Sequence, residues 1–178
     1  MVTMSKRQSY RIIGEPGQTK IALHERIRHM LVLERLCARF HRVTMQLQSR
    51  HSQRAPLRVE DEYDVQDLLQ ALLTLEYDDI RPEVWTPSYA GGSARMDFLL
   101  KLEQIVVAEK KTRSDLGATE LGEQLPVDIQ KYQSRPDCAT LVCFVYDPEG
   151  RIANPRGVEN ELSRDVDGLT VRVIIAPK

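Results

Sequence analysis

Residues 95–111 read RMDFLLKLEQIVVAEKK, and this stretch decides the fold. Apolar and polar side chains alternate over 95–100, and a second apolar run begins at 105. The four residues between the two runs suit a tight turn, so the pattern predicts a β-hairpin. The second strand ends in charged residues, Glu109, Lys110 and Lys111, which is unusual for the buried side of a hydrophobic sheet.

The sequence around the hairpin predicts an α/β fold. Residues 139–146 (ATLVCFVY) form a continuous apolar run, which is typical of a buried central strand. Helical patterns and shorter strand patterns flank both segments. We therefore expect a three-layer sandwich around a mixed sheet, with helices predicted over 19–50, 59–77, 120–133 and 158–164 and further strands over 84–86 and 169–175.

Charge divides the chain near Arg58. The formal net charge of the 178 residues is −1. Residues 1–58 hold 12 Lys and Arg against 3 Asp and Glu, a net charge of +9, whereas residues 59–178 hold 13 against 23, a net charge of −10. This asymmetry predicts a basic N-terminal tail and helical arm (1–58) followed by a second domain (59–178).

The arm allows two interpretations. Residues 1–18 have no clear period and are expected to be a loose tail. The segment after them is expected to be one long amphipathic helix, or two with a kink, with an apolar stripe beside a row of arginines. The first interpretation is a packing or dimerising helix whose basic face is solvated. The second is a helix whose arginines lie along nucleic-acid phosphates.

Several classes of protein are not expected. No apolar stretch approaches the 18 residues of a membrane span, and no apolar signal-peptide core follows the basic N-terminus. Cys37, Cys138 and Cys143 lack the spacing of metal ligands. They are expected to be reduced and mostly buried, which predicts a cytoplasmic protein.

The hairpin carries the candidate chemistry. Glu109 and Lys111 are two residues apart on one strand and therefore share a face of the sheet. We expect pairing across the turn to bring Asp97 opposite them. Two carboxylates suit a hard cation such as Mg²⁺, and a neighbouring lysine can position a water molecule or stabilise charge that develops on phosphorus.

An aspartate followed about a dozen residues later by Glu-x-Lys, on a hairpin after an acidic helix, resembles the PD-(D/E)XK nuclease superfamily. The run from Asp61 to Lys178 resembles the DpnII/MboI-type restriction endonuclease domain. The matching phrases are DVQDLLQALL (64–73), RPEVWTPSYAGGSARMDFLL (81–100), IVVAEKKTR (105–113), GEQLPVDIQKY (122–132) and LVCFVYDPEGRIANP (141–155).

The resemblance implies a role for each matched residue. Asp97 and Glu109 would hold Mg²⁺, with Mn²⁺ as the alternative ion, and Lys111 would be the catalytic lysine. Glu62 would complete the metal site, with Asp61 and Asp64 as rivals and an ordinary first-turn acid as the simpler interpretation. The resemblance also implies a helix glutamine directed at the site, either Gln124 or Gln130. Apart from the resemblance, Arg95 is expected either to hold a phosphate or to pair with Asp97, and Lys110 and Arg113 either to contact nucleic acid or to be solvated charges at the end of a strand.

Together these features predict a metal-dependent nuclease that hydrolyses phosphodiester bonds, DNA above all, in prokaryotic restriction or anti-phage defence. The alternative is a regulatory or oligomerising effector module that keeps the nuclease fold and works only with partner proteins. In either case the expected partners are nucleic acid and, through the N-terminal helix, a second copy or a defence protein.

Overall fold

The computed structural model describes residues 16–85 and 95–178, with side chains over 24–82 and 97–178. The helices are α1 (Pro16–Gln48), α2 (Glu62–Leu73), α3 (Ala118–Gln133) and α4 (Pro155–Leu162), with one short 3-10 turn at His51–Gln53. The strands are β1 (Ile80–Trp85), β2 (Arg95–Leu100), β3 (Ile105–Lys111), β4 (Thr140–Tyr146), β5 (Arg164–Val166) and β6 (Leu169–Ala176).

The six strands form one mixed sheet in the order β1-β2-β3-β4-β6-β5. β1, β2 and β3 are antiparallel, β4 and β6 run parallel to β3, and β5 is antiparallel to β6. Every residue of β4 is buried, as its continuous apolar run predicts. The predicted mixed sheet is therefore confirmed, and β5 is an addition, because three partly polar residues give too short a pattern to recognise.

Helices cover both faces of the sheet, which confirms the three-layer arrangement. On one face, α1 and α2 contribute Leu33, Phe40 and Leu69 to a buried cluster with Phe98, Val107 and Phe144 of the strands. On the other face, Leu121, Leu125 and Ile129 of α3 pack with Leu99, Val106 and Cys143. The hydrophobic core thus lies in two layers, one on each side of the strands.

Helix α1 is part of this core. It is one continuous helix, and residues 19–50 contain neither Gly nor Pro. Its buried residues include Leu33, Cys37 and Phe40, and the Phe40 ring lies 5.2 Å from that of Phe144 and 5.0 Å from that of Tyr146. The apolar stripe of α1 therefore packs on the sheet. The basic and acidic parts of the chain meet near Arg58, but residues from both parts share one hydrophobic core.

The N-terminus of α2 is fixed by reciprocal capping. The Asp64 amide donates to Asp61 Oδ1 at 3.0 Å, and Asp64 Oδ2 accepts from the amides of Glu60 and Asp61. The helix consequently begins at Glu62, three residues later than predicted. Pro82 lies inside β1, where it is tolerated because β1 is an edge strand.

All three cysteines are free and buried. Burial raises the pKa of the Cys143 thiol to about 12 and that of Cys138 to about 11, so both thiols stay protonated at neutral pH. In the described part of the chain, no helix combines the length and apolar character needed to cross a membrane.

Candidate active site

The hairpin register determines which face each candidate residue occupies. Leu100 pairs with Ile105 and Phe98 with Val107, and the β2–β3 pairing ends there. By alternation Asp97 lies on the α3 face, whereas Glu109 and Lys111 lie on the α2 face. This differs from our expectation that pairing brings Asp97 opposite Glu109. We call the unpaired ends of β2 and β3, with Asp97 on one strand and residues 109–111 on the other, the fork.

Glu109 is the buried carboxylate on the α2 side of the fork. It is 3% exposed, and its Oε1 accepts a hydrogen bond from Gln66 Nε2 at 2.7 Å. Burial, reinforced by the nearby carboxylates of Glu62 and Asp97, raises the pKa of Glu109 to about 8, and the hydrogen bond from Gln66 opposes this rise. Asp97 is therefore within electrostatic reach of Glu109 although the two side chains lie on opposite faces.

Glu62 lies one helical turn before Gln66 on α2, which places both on the side that meets β3. Its two sequence rivals are used elsewhere, since Asp61 and Asp64 cap the helix. The structure thus brings Glu62 to the fork and assigns Asp61 and Asp64 to the helix terminus.

Asp97 is held from the opposite helix. It is 5% exposed, and its Oδ2 accepts from Lys131 Nζ at 2.7 Å and from the Tyr132 hydroxyl. Burial, reinforced by the Asp97 carboxylate, raises the pKa of Tyr132 far above its ordinary value, so the hydroxyl remains a donor. An ammonium and a hydroxyl therefore fix this carboxylate at the start of β2.

Lys110 points away from solvent. It is 1% exposed, and its Nζ lies 3.0 Å from Asp128 Oδ2 and 3.5 Å from Gln124 Oε1. Gln124, Asp128 and Tyr132 follow one another at four-residue intervals, so they share the face of α3 that meets the sheet. This burial does not agree with the expected nucleic-acid contact of Lys110, because its ammonium is paired with Asp128 beneath α3.

The other candidate residues differ in how exposed their side chains are. Lys111 is half-buried at the end of β3, on the face of Glu109. Arg113 is exposed and pairs with Asp115 at 2.8 Å.

Gln130 is exposed on α3, so Gln124 is the glutamine of the two that faces the sheet. The side chain of Arg95 lies outside the described residues.

The donor set at the fork consists of carboxylates, which are the ligands that Mg²⁺ accepts. Over residues 24–82 and 97–178, no group of three or more Asp, Glu, His or Cys side chains is close enough to hold a metal ion. Mg²⁺ requires fewer, because it is commonly bound by one or two carboxylates and keeps several waters. Glu109, with two negative neighbours and a raised pKa, therefore fits a divalent cation.

Four residues of this site were missing from the sequence predictions, namely Gln66, Asp128, Lys131 and Tyr132. Three of them follow a recognisable spacing, because Gln66 is four residues after Glu62, Asp128 is four residues after Gln124, and Tyr132 is four residues after Asp128. Polar pairs at this interval within the buried stripe of a helix are the signal that could have found them.

The model of the DpnII-MboI restriction endonuclease family (REase_DpnII-MboI) matches residues 31–178. The chain belongs to this family. The family resemblance of the sequence is thereby confirmed, and restriction endonucleases are nucleases that act on DNA. The match to DpnII-MboI begins within α1, so the family region includes most of the helix that packs on the sheet. Searches of curated proteins and of solved structures gave no match.

Proposed function

We propose that this member of the DpnII-MboI family is a divalent-metal-dependent endonuclease of the PD-(D/E)XK type that hydrolyses the DNA backbone at the fork. Mg²⁺ is the proposed ion and Mn²⁺ its substitute, and the proposed setting is restriction or anti-phage defence in the prokaryotic cytoplasm. The observation that carries the proposal is the buried Glu109 carboxylate, whose pKa is raised among acidic neighbours and which lies on the same face as Lys111.

One or two carboxylates would hold the cation directly, and water molecules would complete its coordination. Glu109 would bind it from β3, with Asp97 of β2 or Glu62 of α2 as the second ligand and the remaining carboxylate acting through a bound water. When bound, the cation would supply Lewis-acid polarisation of the scissile phosphate. Gln66 would fix the orientation of Glu109 by its amide hydrogen bond, and Tyr132 and Lys131 would hold Asp97.

Lys111 is the proposed catalytic lysine. Its side chain projects from the face of Glu109 at the end of β3, where solvent and substrate have access. Its ammonium would orient the attacking water and stabilise the negative charge that grows on the phosphoryl oxygens. The water oxygen forms a bond to phosphorus while the bond to the leaving ester oxygen breaks, and one proton passes from the water to that oxygen.

The direct test is cleavage of supercoiled plasmid DNA with Mg²⁺, with Mn²⁺ and with EDTA. We expect Lys111→Ala and Asp97→Asn each to lower the cleavage rate by about 10²–10³-fold, because the first removes charge stabilisation at the reacting phosphate and the second removes a proposed ligand of the cation. Arg156→Gln, an exposed substitution on α4, is the control and should cleave at the wild-type rate. Cleavage that survives both fork substitutions, or that proceeds in EDTA, would contradict the proposal.

A further inference from the structure

A stretch of basic surface continues from the end of α1 into the following segment. Residues 35–59 contain six arginines and no Asp or Glu. We define the basic strip as the exposed residues Arg39, Arg42, Arg50, Arg54 and Arg58. We propose that the basic strip binds the phosphate backbone of the DNA that the fork cleaves, an inference that rests on the proposed function.

The end of α1 lies at the same end of the sheet as the fork. His41 Nδ1 and Thr44 Oγ1 are each 3.0 Å from the hydroxyl oxygen of Tyr146, the last residue of β4. Tyr146 is the register partner of Lys111. The last two turns of α1, which carry Arg42, are therefore anchored beside the catalytic end of β3.

The segment after α1 leads directly to the acidic side of the fork. The Leu57 amide donates to the Leu47 carbonyl at 3.1 Å, and Arg50 Nη1 donates to the Ala55 carbonyl at 3.1 Å, so the segment folds back against the end of α1. It then joins the N-cap of α2, whose first turn carries Glu62. Arg58, the last residue of the basic strip, is therefore only four residues before Glu62 on the α2 side of the fork.

The charges of the basic strip are available to a ligand. In the part of the chain whose side chains are described, Arg39, Arg42, Arg50 and Arg54 form no ion pair. Arg58 lies 3.6 Å from Glu60, but both side chains are more than two-thirds exposed, so this pair contributes little. Arg39 and Arg42 also line an open groove of about 510 Å³ with Val43, Gln46 and Leu47.

The net charge of residues 59–178 does not favour binding of DNA. Residues 59–178 carry a net charge of −10, and the fork adds buried carboxylates to the place where a phosphate must approach. A phosphate backbone needs Lys or Arg contacts close to that place, and each contact adds affinity through counterion release. The basic strip supplies these contacts from one side without introducing a positive charge among the proposed metal ligands.

The test compares two triple variants that remove the same charge. R42Q/R54Q/R58Q removes it from the basic strip, and R26Q/R156Q/R164Q removes it from exposed positions at the other end of α1, on α4 and on β5. Binding of a fluorescein-labelled DNA duplex of about 20 base pairs is measured by anisotropy in EDTA at several salt concentrations. Thermal unfolding followed by circular dichroism checks that both variants are folded.

We expect the strip variant to raise the Kd at least about tenfold and to lower the slope of log K against log salt by about 2–3, whereas the control changes the Kd less than about twofold. An equal increase in Kd for the two variants would mean that only the net charge of the protein matters, and it would overturn the inference. Wild-type affinity in the strip variant would overturn it as well.

Cleavage separates this inference from the proposed function. With Mg²⁺, the strip variant should raise KM more than it lowers kcat, because the basic strip holds the backbone away from the reacting phosphate. A wild-type protein that binds DNA through the strip but cleaves with neither Mg²⁺ nor Mn²⁺ would overturn the proposed function and leave the inference standing. Efficient wild-type cleavage with an unchanged KM in the strip variant would overturn the inference alone.

Discussion

The two faces of the sheet differ at the fork in how their buried charges are balanced. On the α3 side, each carboxylate has an ammonium within 3.0 Å: Lys131 lies 2.7 Å from Asp97, and Lys110 lies 3.0 Å from Asp128. On the α2 side, Glu109 accepts a hydrogen bond from the neutral amide of Gln66, and a neighbouring charge is the carboxylate of Glu62.

This difference indicates different tasks for the two faces. Buried charges that are paired within the protein are satisfied by the fold and maintain its geometry. On the α2 side, burial above all and the neighbouring carboxylates in addition raise the pKa of Glu109, so its charged form would gain from an external cation. The α3 side would therefore support the site, and the α2 side is where the proposed cation would bind.

The largest stability effect should come from breaking the balance on the α3 side. Asp128→Ala leaves the Lys110 ammonium, 1% exposed, without its carboxylate partner. We expect the free energy of unfolding to fall by about 3–5 kcal/mol in urea denaturation. The double variant Lys110→Met/Asp128→Leu, which removes both charges, should recover most of this loss.

Glu62→Gln on the α2 side is the matched comparison for that experiment, since it removes a carboxylate that is half-buried and repelled by its neighbour. It should change the stability by less than about 1 kcal/mol in either direction. A single Asp128→Ala variant that is as stable as the double variant would show that the two faces do not differ as proposed.

The second effect concerns pH in metal-free protein. The pKa of Glu109 is raised from its ordinary value of 4.5 to about 8, so between these values the folded state binds more protons than the unfolded state. Stability is therefore highest below about pH 4.5 with respect to this group and declines as the pH rises towards 8. We expect this decline to amount to about 2–4 kcal/mol.

The measurement is urea denaturation in EDTA across this pH range, for the wild type and for Glu109→Gln. The variant cannot ionise at this position, so it should lack the part of the decline that comes from Glu109 and be the more stable protein at pH 8. Parallel pH profiles for the two proteins would refute the view that the α2 side carries an uncompensated charge.

The smallest effect should come from a single hydrogen bond on the α3 side. Tyr132→Phe removes the hydroxyl that donates to Asp97 and leaves Lys131 in place. We expect a loss of about 1–2 kcal/mol in stability and a decrease in cleavage of less than about tenfold. A decrease as large as that of Asp97→Asn would mean that Tyr132 takes part in the reaction itself and is more than a support.

Much of the fold could be predicted from apolar patterns. The continuous apolar run of β4 and the two strands of the hairpin were recognisable because burial on both faces, or a turn between two strand patterns, leaves a local signature. β5 was missed, since three residues, two of them with exposed side chains, carry no such signature. Its pairing with β6 depends on the turn at residues 167–168 and on the sheet already being present.

The shared face of Glu109 and Lys111 could be predicted from strand alternation, whereas the face of Asp97 was predicted wrongly. A hairpin whose strands meet at Leu100 and Ile105 sets Asp97 across from Ala108, one residue away from Glu109. The strand register determines the face of Asp97, because a shift of one residue moves a side chain to the other face of the sheet. The partners on α2 and α3 depend on contacts between elements distant in sequence, and no local pattern in the hairpin contains them.

The packing of α1 on the sheet has a consequence for dissecting the protein. A fragment starting at Val59 would retain the whole sheet but lose Leu33, Cys37 and Phe40, which are fully buried against it. Val142, Phe144 and Ile174 would then face water as an apolar patch large enough to promote aggregation. Any folded fragment that contains the acidic site must therefore also contain α1 and the start of the basic strip, because removal of this helix uncovers the core.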